Sequence, residues 1–507
     1  MRTKMSSEQS GKSKDITRIS ILLAIAMCVG AYLISTTVII AKDGVTFIEY
    51  AKNLTVSPIR TMLGQNQHPG YSFLILTAHR IAKLAYEGPS FWSWIYSAQI
   101  VALIFRLLTI VVLYFVGKEI VGPRFSFLAI LILILLPKPA KYGSDALTDW
   151  PHLFFLSAGF LLLLRGAINR KSWLFGLAGL LAGLGYLIRP ECAQLVVLGF
   201  LWLALQLFWT KRIISQRKVA IALVLLFVGF IVTAGPYMKL KGAVFPKKNI
   251  GRFNLNASHQ ENYGKYREPS NSMDTAGFAP TNVTKAAWEL FEQSSDLLMW
   301  FFVPALLIGT YRYFKEKKLY EPEAFFIAAL IALNIPTLIW LYCNYGYIDG
   351  RHVLPLVTFT IFYVPFGLQT FGNWLIAKLS KIRLETKQNP QLWLFILTTA
   401  GLFVCVPKLL TPLNTDKQIY REAARWLAEN TDEKDIVAVL DIRISFYAER
   451  QGLYWKDGEI PEQVQYIVKI FKQKNDKTRL PEQLGKIEYK YADKRNDKVS
   501  IAIYRKS

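Results

Sequence analysis

Apolar runs long enough to form membrane spans recur along the whole 507-residue chain, separated by short polar loops. With their flanks, they include the stretches around 126–136, 153–164, 220–234 and 327–341. A transmembrane helix needs about 20 mostly apolar residues, so a chain with many such runs does not fold as an ordinary soluble enzyme. Because 52% of the residues are hydrophobic, a disordered chain and a small disulfide scaffold are also excluded. We therefore predict a polytopic α-helical membrane protein.

The formal net charge of +24 comes from lysines and arginines that cluster in short loops between the apolar runs. This is the pattern of cytoplasmic loops that face anionic lipid, so we expect no nucleic-acid partner. The four cysteines are scattered and form no CxxC pair. Neither a zinc site nor a thiol redox motif is indicated.

The positions of the basic loops predict the topology. The first apolar run, Ile19–Ala41, follows a basic segment and is too long for a signal peptide, so we predict a retained first span with the N-terminus inside. The later basic loops then all fall inside. We predict about eleven transmembrane helices, near residues 19–41, 95–117, 124–140, 150–165, 172–189, 191–209, 219–236, 296–313, 322–343, 352–374 and 391–407.

One further apolar stretch, Tyr71–Ala85, contains a histidine, an arginine and a lysine. If it spanned the membrane, every later basic loop would move outside, so we predict an interfacial or re-entrant helix on the outer face. The chain then divides into a transmembrane module, 1–407, with outer loops at 42–94 and 237–295, and a soluble extracytoplasmic domain, 408–507. The tail is predicted to be α/β, with helices near 420–430 and 445–450 and strands near 435–440, 465–470 and 499–504.

Acidic and basic residues at the outer ends of the predicted spans are the main candidates for a site. Each alone is compatible with a solvated charge at a helix end, but several fall on one face, and ionisable groups at membrane depth usually mark function. Together they suit a substrate with a phosphate and a hydroxyl. The candidates are Asp43, Lys141, Tyr142, Asp145, Asp149, Arg189, Glu191 and Arg351, with Asp349 beside Arg351.

Two other residues have open roles. Arg106 interrupts the apolar run of the second predicted span. It either snorkels or pairs with a neighbouring helix, or it faces an outer cavity and contacts a carboxylate or phosphate. His68 lies beside Pro69 in the first outer loop, where we expect an exposed polar side chain.

Several segments, in order, resemble GT-C membrane glycosyltransferases of the group that includes protein O-mannosyltransferases and lipid A aminoarabinose transferases. The similarity lies in short motifs spread over most of the chain, and their order and topology matter more than any single motif. They are DGVTFIEYAK from Asp43, QHPGYSFLI from Gln67, FRLLTIVVLYFVGKEIVG from Phe105, SDALTDWPHLFFL from Ser144, LIRPECA from Leu187, GRHVLPL from Gly350 and the tail from Ile419.

This resemblance implies a GT-C fold and transfer of a hexose or pentose from a polyprenyl-phosphate carrier to a lipid, glycan or protein acceptor outside. It places Asp43 as the general base and Asp145 as a second carboxylate that either orients the acceptor or supports Asp43. Arg106, Arg189, Arg351 and His68 become candidates for contact with the donor phosphate or for holding the carboxylates in place, with Lys141, Tyr142, Asp149 and Glu191 as further substrate-binding candidates. No cofactor is required, and a divalent metal is possible but unsupported.

The chain departs from the family pattern at three positions in the first outer loop. Gly44 stands where many members have a second acid, which weakens a paired-carboxylate or metal-binding reading. Gly70 replaces a proline, and His68 stands where the aminoarabinose branch has lysine. The phosphate-binding role of His68 is therefore in doubt.

Two alternatives come from other functional classes. A transporter or flippase of a lipid-linked or anionic solute should show internal repeats and broken helices in matching halves, and we find no repeat in the sequence. A membrane scaffold or sensor whose tail binds a partner would tolerate loss of the outer acids. The sequence favours the transferase over both.

Overall fold

The computed structural model describes residues 2–85, 90–208, 215–244, 280–380, 390–455, 460–471, 484–492 and 500–506. Helices make up nearly all of this part up to residue 409, and a small mixed α/β unit follows. The helices are α1 Arg2–Ser35, α2 Lys42–Val56, α3 Pro58–Gly64, α4 Gly70–Ala85, α5 Ser90–Val121, α6 Pro123–Leu135, α7 Pro137–Tyr142, α8 Asp149–Asn169, α9 Ser172–Tyr186, α10 Gln194–Phe208, α11 Gln216–Lys241, α12 Pro280–Leu297, α13 Val303–Glu316, α14 Pro322–Tyr345, α15 Gly350–Thr360, α16 Tyr363–Ser380, α17 Pro390–Leu409, α18 Gln418–Asn430 and α19 Ile442–Tyr447.

The chain is a multi-pass membrane protein. Within the described residues, seven helices are long and apolar enough to cross a bilayer, and an eighth span results if α15 and α16, bent by 62°, are counted as one. The seven are Ser13–Ser35, Phe91–Val121, Asp149–Asn169, Pro190–Phe208, Gln216–Lys241, Pro322–Tyr345 and Gln391–Leu409. Two further predicted spans, 124–140 and 172–189, coincide with shorter apolar helices, Pro123–Leu135 and Ser172–Tyr186.

The remaining predicted span, 296–313, is not a single helix, and that prediction was wrong. Helix α12 ends at Leu297, and α13 begins only at Val303. Met299 and Trp300 between them adopt left-handed backbone with φ of 57° and 59°, which a right-handed helix does not accommodate. Residues 237–241 and 280–295 of the predicted outer loop 237–295 are helical, while residues 245–279 lie outside the described residues.

The predicted interfacial segment Tyr71–Ala85 is a helix, α4. One side of α4 is buried against α2 and α5, whereas Phe73, Ile81 and Leu84 are 61%, 64% and 88% exposed. An apolar exposed stripe beside Arg80 and Lys83 is typical of a helix that lies in a membrane interface.

The tail contains five strands, β1 Ile436–Val439, β2 Gln451–Tyr454, β3 Tyr466–Phe471, β4 Leu484–Ala492 and β5 Ser500–Lys506. They form one sheet in the order β2-β1-β3-β5-β4. Strands β1 and β2 are parallel, as are β1 and β3, and the pairs β3–β5 and β4–β5 are antiparallel. Strands β2 and β4 were not predicted, and the helix expected at 445–450 begins earlier because Asp441 caps it by accepting a hydrogen bond from Arg443 N.

The tail does not stand apart from the outer helices. One buried apolar cluster contains Ile40 and Ile48 from the start of the chain together with Tyr420, Leu427 and Tyr447 from the tail. Because a shared core of this kind resists separation, the tail is fixed over the end of the helical module that carries α2.

Candidate functional site

Four of the predicted site residues meet at the ends of separate helices. Asp43 is in the first turn of α2, and Asp149 is in the first turn of α8. Arg351 is in the first turn of α15, and Arg189 directly precedes the short 3-10 turn Pro190–Ala193. These residues are up to 308 positions apart in sequence, and only the helix packing brings them together.

The four side chains form a continuous chain of ion pairs. Arg351 Nη1 lies 2.6 Å from Asp43 Oδ2, and Arg351 Nε lies 2.9 Å from Asp149 Oδ2. Arg189 Nη2 lies 3.1 Å from Asp149 Oδ1, and Arg189 Nε donates to Thr148 Oγ1 at 2.8 Å. Asp149 thereby holds one guanidinium on each carboxylate oxygen.

The side chains of this network differ in solvent exposure. The difference separates the buried carboxylate that holds the arginines from the carboxylate that a substrate can reach. The Asp149 side chain is 1% exposed, each arginine is 18% exposed, and Asp43 is 54% exposed. A buried carboxylate between two guanidiniums fixes their positions and offsets their charges. The outcome is a rigid cationic pair that solvent still reaches, next to an accessible carboxylate.

The start of α15 is fixed independently of these ion pairs. The backbone N–H of Asp349 donates to Nδ1 of His352 at 3.1 Å, as part of a capping box. Gly350 packs closely against Tyr142. A Cβ added to Gly350 would lie 3.0 Å from the Tyr142 hydroxyl oxygen. Tyr142 therefore borders the network, and burial raises the pKa of its phenol.

Asp145 lies in the turn between α7 and α8 and is 4% exposed. Its Oδ1 accepts hydrogen bonds from Ala41 N at 2.9 Å and Ala146 N at 2.8 Å, and its Oδ2 accepts one from Asn414 Nδ2 at 3.2 Å. Burial raises the pKa of this carboxyl, although the three donors oppose the rise. The structure brings Asp145 close to α2 but gives it little access to a substrate.

The other candidates occupy the periphery. Lys141 is half-buried at the end of α7, where burial and the Lys408 charge lower its pKa. Glu191 is exposed in the turn after Arg189.

The prediction that His68 is exposed was wrong. His68 is 3% exposed because Tyr186 and Tyr237 pack on its ring, with centroids 4.9 Å and 5.2 Å away. The loop is also tied down through Gly70, whose N–H donates to Leu187 O at 2.7 Å. A Cβ at Gly70 would lie 2.6 Å from that oxygen. A proline there would lose this bond, which explains why the chain departs from the family pattern at Gly70.

Gly44 has a similar steric explanation. A Cβ on Gly44 would lie 2.6 Å from Ala146 Cβ and 2.9 Å from Ala146 O. The first turn of α2 is thus in backbone contact with the turn that carries Asp145. There is no room for the second acid that many family members have, so the site has one exposed carboxylate on α2.

Arg106 takes no part in the ion-pair network of Asp43, Asp149, Arg189 and Arg351. It is fully buried, Nη2 donates to Ile134 O at 2.8 Å, and the guanidinium lies 5.7 Å from the centre of the Trp150 ring. Pro137 cannot donate a backbone hydrogen bond, so α6 ends at Leu135 and its last carbonyls lack N–H partners within the helix. Arg106 therefore caps the C-terminus of α6, where a positive charge is favourable.

We expect Arg106→Met to lower the free energy of unfolding by about 1–3 kcal/mol, because it removes a charge-assisted hydrogen bond to a buried carbonyl. The KM for a donor substrate should stay within about threefold. Thermal unfolding in detergent and donor titration of the purified variant measure the two effects. A large rise in KM without loss of stability would instead assign Arg106 to the donor phosphate.

Metal ligands are not clustered in the described part of the chain. No group of three or more histidine, cysteine or acidic side chains there is arranged to hold a metal ion.

The sequence from residue 67 to 234 matches the family model described as dolichyl-phosphate-mannose-protein mannosyltransferase. The resemblance predicted from the motifs is confirmed. This match includes the loop of His68, Arg106, the turn with Asp145 and Asp149, and Arg189, but neither Asp43 nor Arg351. A search of curated proteins finds no match.

Solved structures with the GT-C fold are similar over nearly the whole chain. ArnT from Cupriavidus metallidurans bound to undecaprenyl phosphate has 12% identity and a TM-score of 0.59, and the match covers 96% of this chain and 97% of that one. The oligosaccharyltransferase of Archaeoglobus fulgidus in its apo form has 11% identity and a TM-score of 0.56, with 90% and 69% covered. Archaeoglobus fulgidus AglB in complex with an inhibitory peptide and a dolichol-phosphate has 13% identity and a TM-score of 0.54, with the same coverage. At these identities, the likeness concerns the fold.

Sequence reasoning did not find all residues that build this site. Thr148, Asn414 and Tyr447 contact the site or its supports, and none was a candidate. Thr148 is next to Asp149, so proximity to a candidate acid could have suggested it. Asn414 and Tyr447 carry no such signal, because their contacts depend on how the tail folds back.

Proposed function

We propose that this protein is an integral-membrane glycosyltransferase that moves a sugar from a polyprenyl-phosphate-linked donor to an acceptor on the extracytoplasmic face. The observation that carries the proposal is Arg351, which bridges the exposed Asp43 and the buried Asp149. The family match supports the reaction class. Undecaprenyl phosphate in ArnT and dolichol-phosphate in AglB, two similarly folded proteins, support the donor class.

The reaction is proposed as a single displacement. The acceptor hydroxyl or amine forms a bond to the anomeric carbon, and Asp43 takes its proton as general base. The bond from that carbon to the phosphate oxygen breaks, and the polyprenyl phosphate leaves with the electron pair. Arg189 and Arg351 are proposed to stabilise the charge that develops on this leaving group, because both are fixed by Asp149 and still accessible.

The same geometry supports a proposal for the sidedness. Asn414 and Tyr447 of the tail contact Asp145 and the backbone of Ile40, so the tail and the candidate site lie at the same end of the helices. The basic segment before the apolar part of α1 favours an N-terminus in the cytoplasm, and α1 crosses once before Ile40 and Asp43, which puts this end outside. We propose a transmembrane module, 1–407, and an extracytoplasmic domain, 408–507, in a bacterial inner membrane.

The direct test is transfer of labelled sugar from a panel of polyprenyl-phosphate sugars into lipid, glycan and protein fractions. Membranes containing the wild-type protein should label one fraction above empty-vector membranes. The labelled fraction identifies the acceptor class, and the active donor identifies the sugar. Absence of transfer from every donor, together with movement of a lipid-linked solute across proteoliposomes, would favour a transporter or flippase.

A further inference from the structure

The segment between α1 and α2 has no regular structure, yet its backbone makes hydrogen bonds to distant parts of the chain. Val38 N donates to Leu413 O at 3.2 Å, and Ile39 O accepts from Asn414 Nδ2 at 2.7 Å. Ile40 N donates to Tyr447 Oη at 3.0 Å, and Ala41 N donates to Asp145 Oδ1 at 2.9 Å. We call residues 38–41 the connector. Three of these four bonds are made with the tail.

Asn414 is the centre of this arrangement. Its backbone is left-handed, with φ of 54°, a conformation that asparagine tolerates better than most residues. This conformation directs the side-chain amide at both the connector and Asp145. One tail side chain therefore joins the start of α2 to the turn before α8.

Asp145 and Gly44 complete the support on the opposite side. The Asp145 carboxylate holds Ala41 N and Asn414, and the next residue, Ala146, contacts Gly44 without a gap. Helix α2 therefore begins immediately after a fixed connector and rests on a fixed turn. Its first turn carries Asp43.

We propose that Asn414 and Tyr447 are positioning residues through which the C-terminal domain sets the place of Asp43 relative to Arg351. This inference rests on the proposed function for its kinetic consequence. Asp145 then acts through the connector as part of the same support, and not as a second catalytic carboxylate. The ion pair of Asp43 with Arg351, at 2.6 Å, depends on the same placement of α2.

The size of the effect follows from how steeply transfer depends on geometry. Displacement of a reacting group by about 1 Å costs up to about 100-fold in rate. Loss of the Asn414 and Tyr447 bonds frees two backbone groups of the connector, while α2 keeps its internal hydrogen bonds. We therefore expect a change in kcat more than in overall folding.

The test uses the full-length protein with Asn414→Gly and Tyr447→Phe, singly and combined. Glycine keeps the left-handed backbone and removes the amide, and phenylalanine keeps the ring and removes the hydroxyl. Tyr504→Phe is the matched control, because Tyr504 is a buried tail tyrosine in a separate apolar cluster. We expect the double variant to lose about 10-fold to 100-fold in kcat, with donor KM within about threefold and a melting temperature close to that of Tyr504→Phe.

Hydrogen–deuterium exchange of the peptide that contains residues 38–41 gives a readout independent of transfer. We expect exchange at the Ile40 amide to accelerate at least tenfold in Tyr447→Phe and to remain unchanged in Tyr504→Phe. Faster exchange with unaltered kcat would overturn the positioning role and leave the enzyme proposal intact. Unaltered exchange would overturn the contact itself.

If the wild type transfers no sugar, the proposed function fails, while the exchange result still decides whether the tail holds the connector. If the double variant does not fold, the two single variants provide the same comparison.

Discussion

Asp43→Asn is expected to lower kcat for sugar transfer by about 10²- to 10⁴-fold, the range that a positioned general base contributes. Asparagine keeps the size of the side chain and an oxygen that can accept from Arg351, but it cannot take a proton from the acceptor. Since Asp43 is 54% exposed, the variant should fold normally. Transfer is measured at saturating donor and acceptor with matched amounts of purified protein.

Glu49→Gln is the matched control for this prediction. Glu49 is another exposed acid of α2, 48% exposed, and it pairs with Lys52 within the same helix. It should retain kcat within about twofold, since it lies almost two turns from Asp43. Equal transfer by wild type and Asp43→Asn would keep the enzyme class but remove Asp43 as the base.

Asp149→Ala is expected to lower the free energy of unfolding by about 3–5 kcal/mol, which is the typical cost of removing one partner from a buried ion pair. The reason is that Arg189 and Arg351 would then face each other without the carboxylate between them. Both would lose a partner at about 3 Å. Chemical denaturation in detergent measures the effect, and transfer activity should be lost with it.

Removal of an exposed ion pair provides the comparison for Asp149. Glu119 and Arg165 lie on the helical module and are 33% and 40% exposed. Glu119→Ala should cost less than about 1 kcal/mol, because solvent screens such pairs. If Asp149→Ala is no more destabilising than Glu119→Ala, Asp149 does not support the arginines as proposed.

Much of the site could be predicted from the sequence because several acidic and basic residues at the outer ends of the apolar runs fall on one face. Asp43, Asp149, Arg189 and Arg351 were recognised by this pattern and by family motifs, and the structure brings all four into contact. The apolar runs located most of the spans, and the basic loops between them indicated their orientation. These signals are local, so a single sequence contains them.

The parts that were not predicted depend on contacts between distant segments. Asp145 has the same local pattern as Asp149, and only the tertiary contact with Asn414, 269 positions later, shows that it is engaged in support. The break at Met299 and Trp300 lies in the apolar stretch 297–303, which contains no glycine. Arg106 was recognised as unusual, but its partner is a backbone carbonyl, which no side-chain pattern identifies.

The order of segments along the chain has a consequence for biosynthesis. The tail residues that bond to the connector, Leu413, Asn414 and Tyr447, follow every candidate span in the described part of the chain. The ribosome therefore makes Asp43 almost at the beginning and the supports of its helix near the end. A nascent chain already inserted in the membrane cannot complete this site until translation has passed Tyr447. Premature termination before that point should yield inserted but inactive protein.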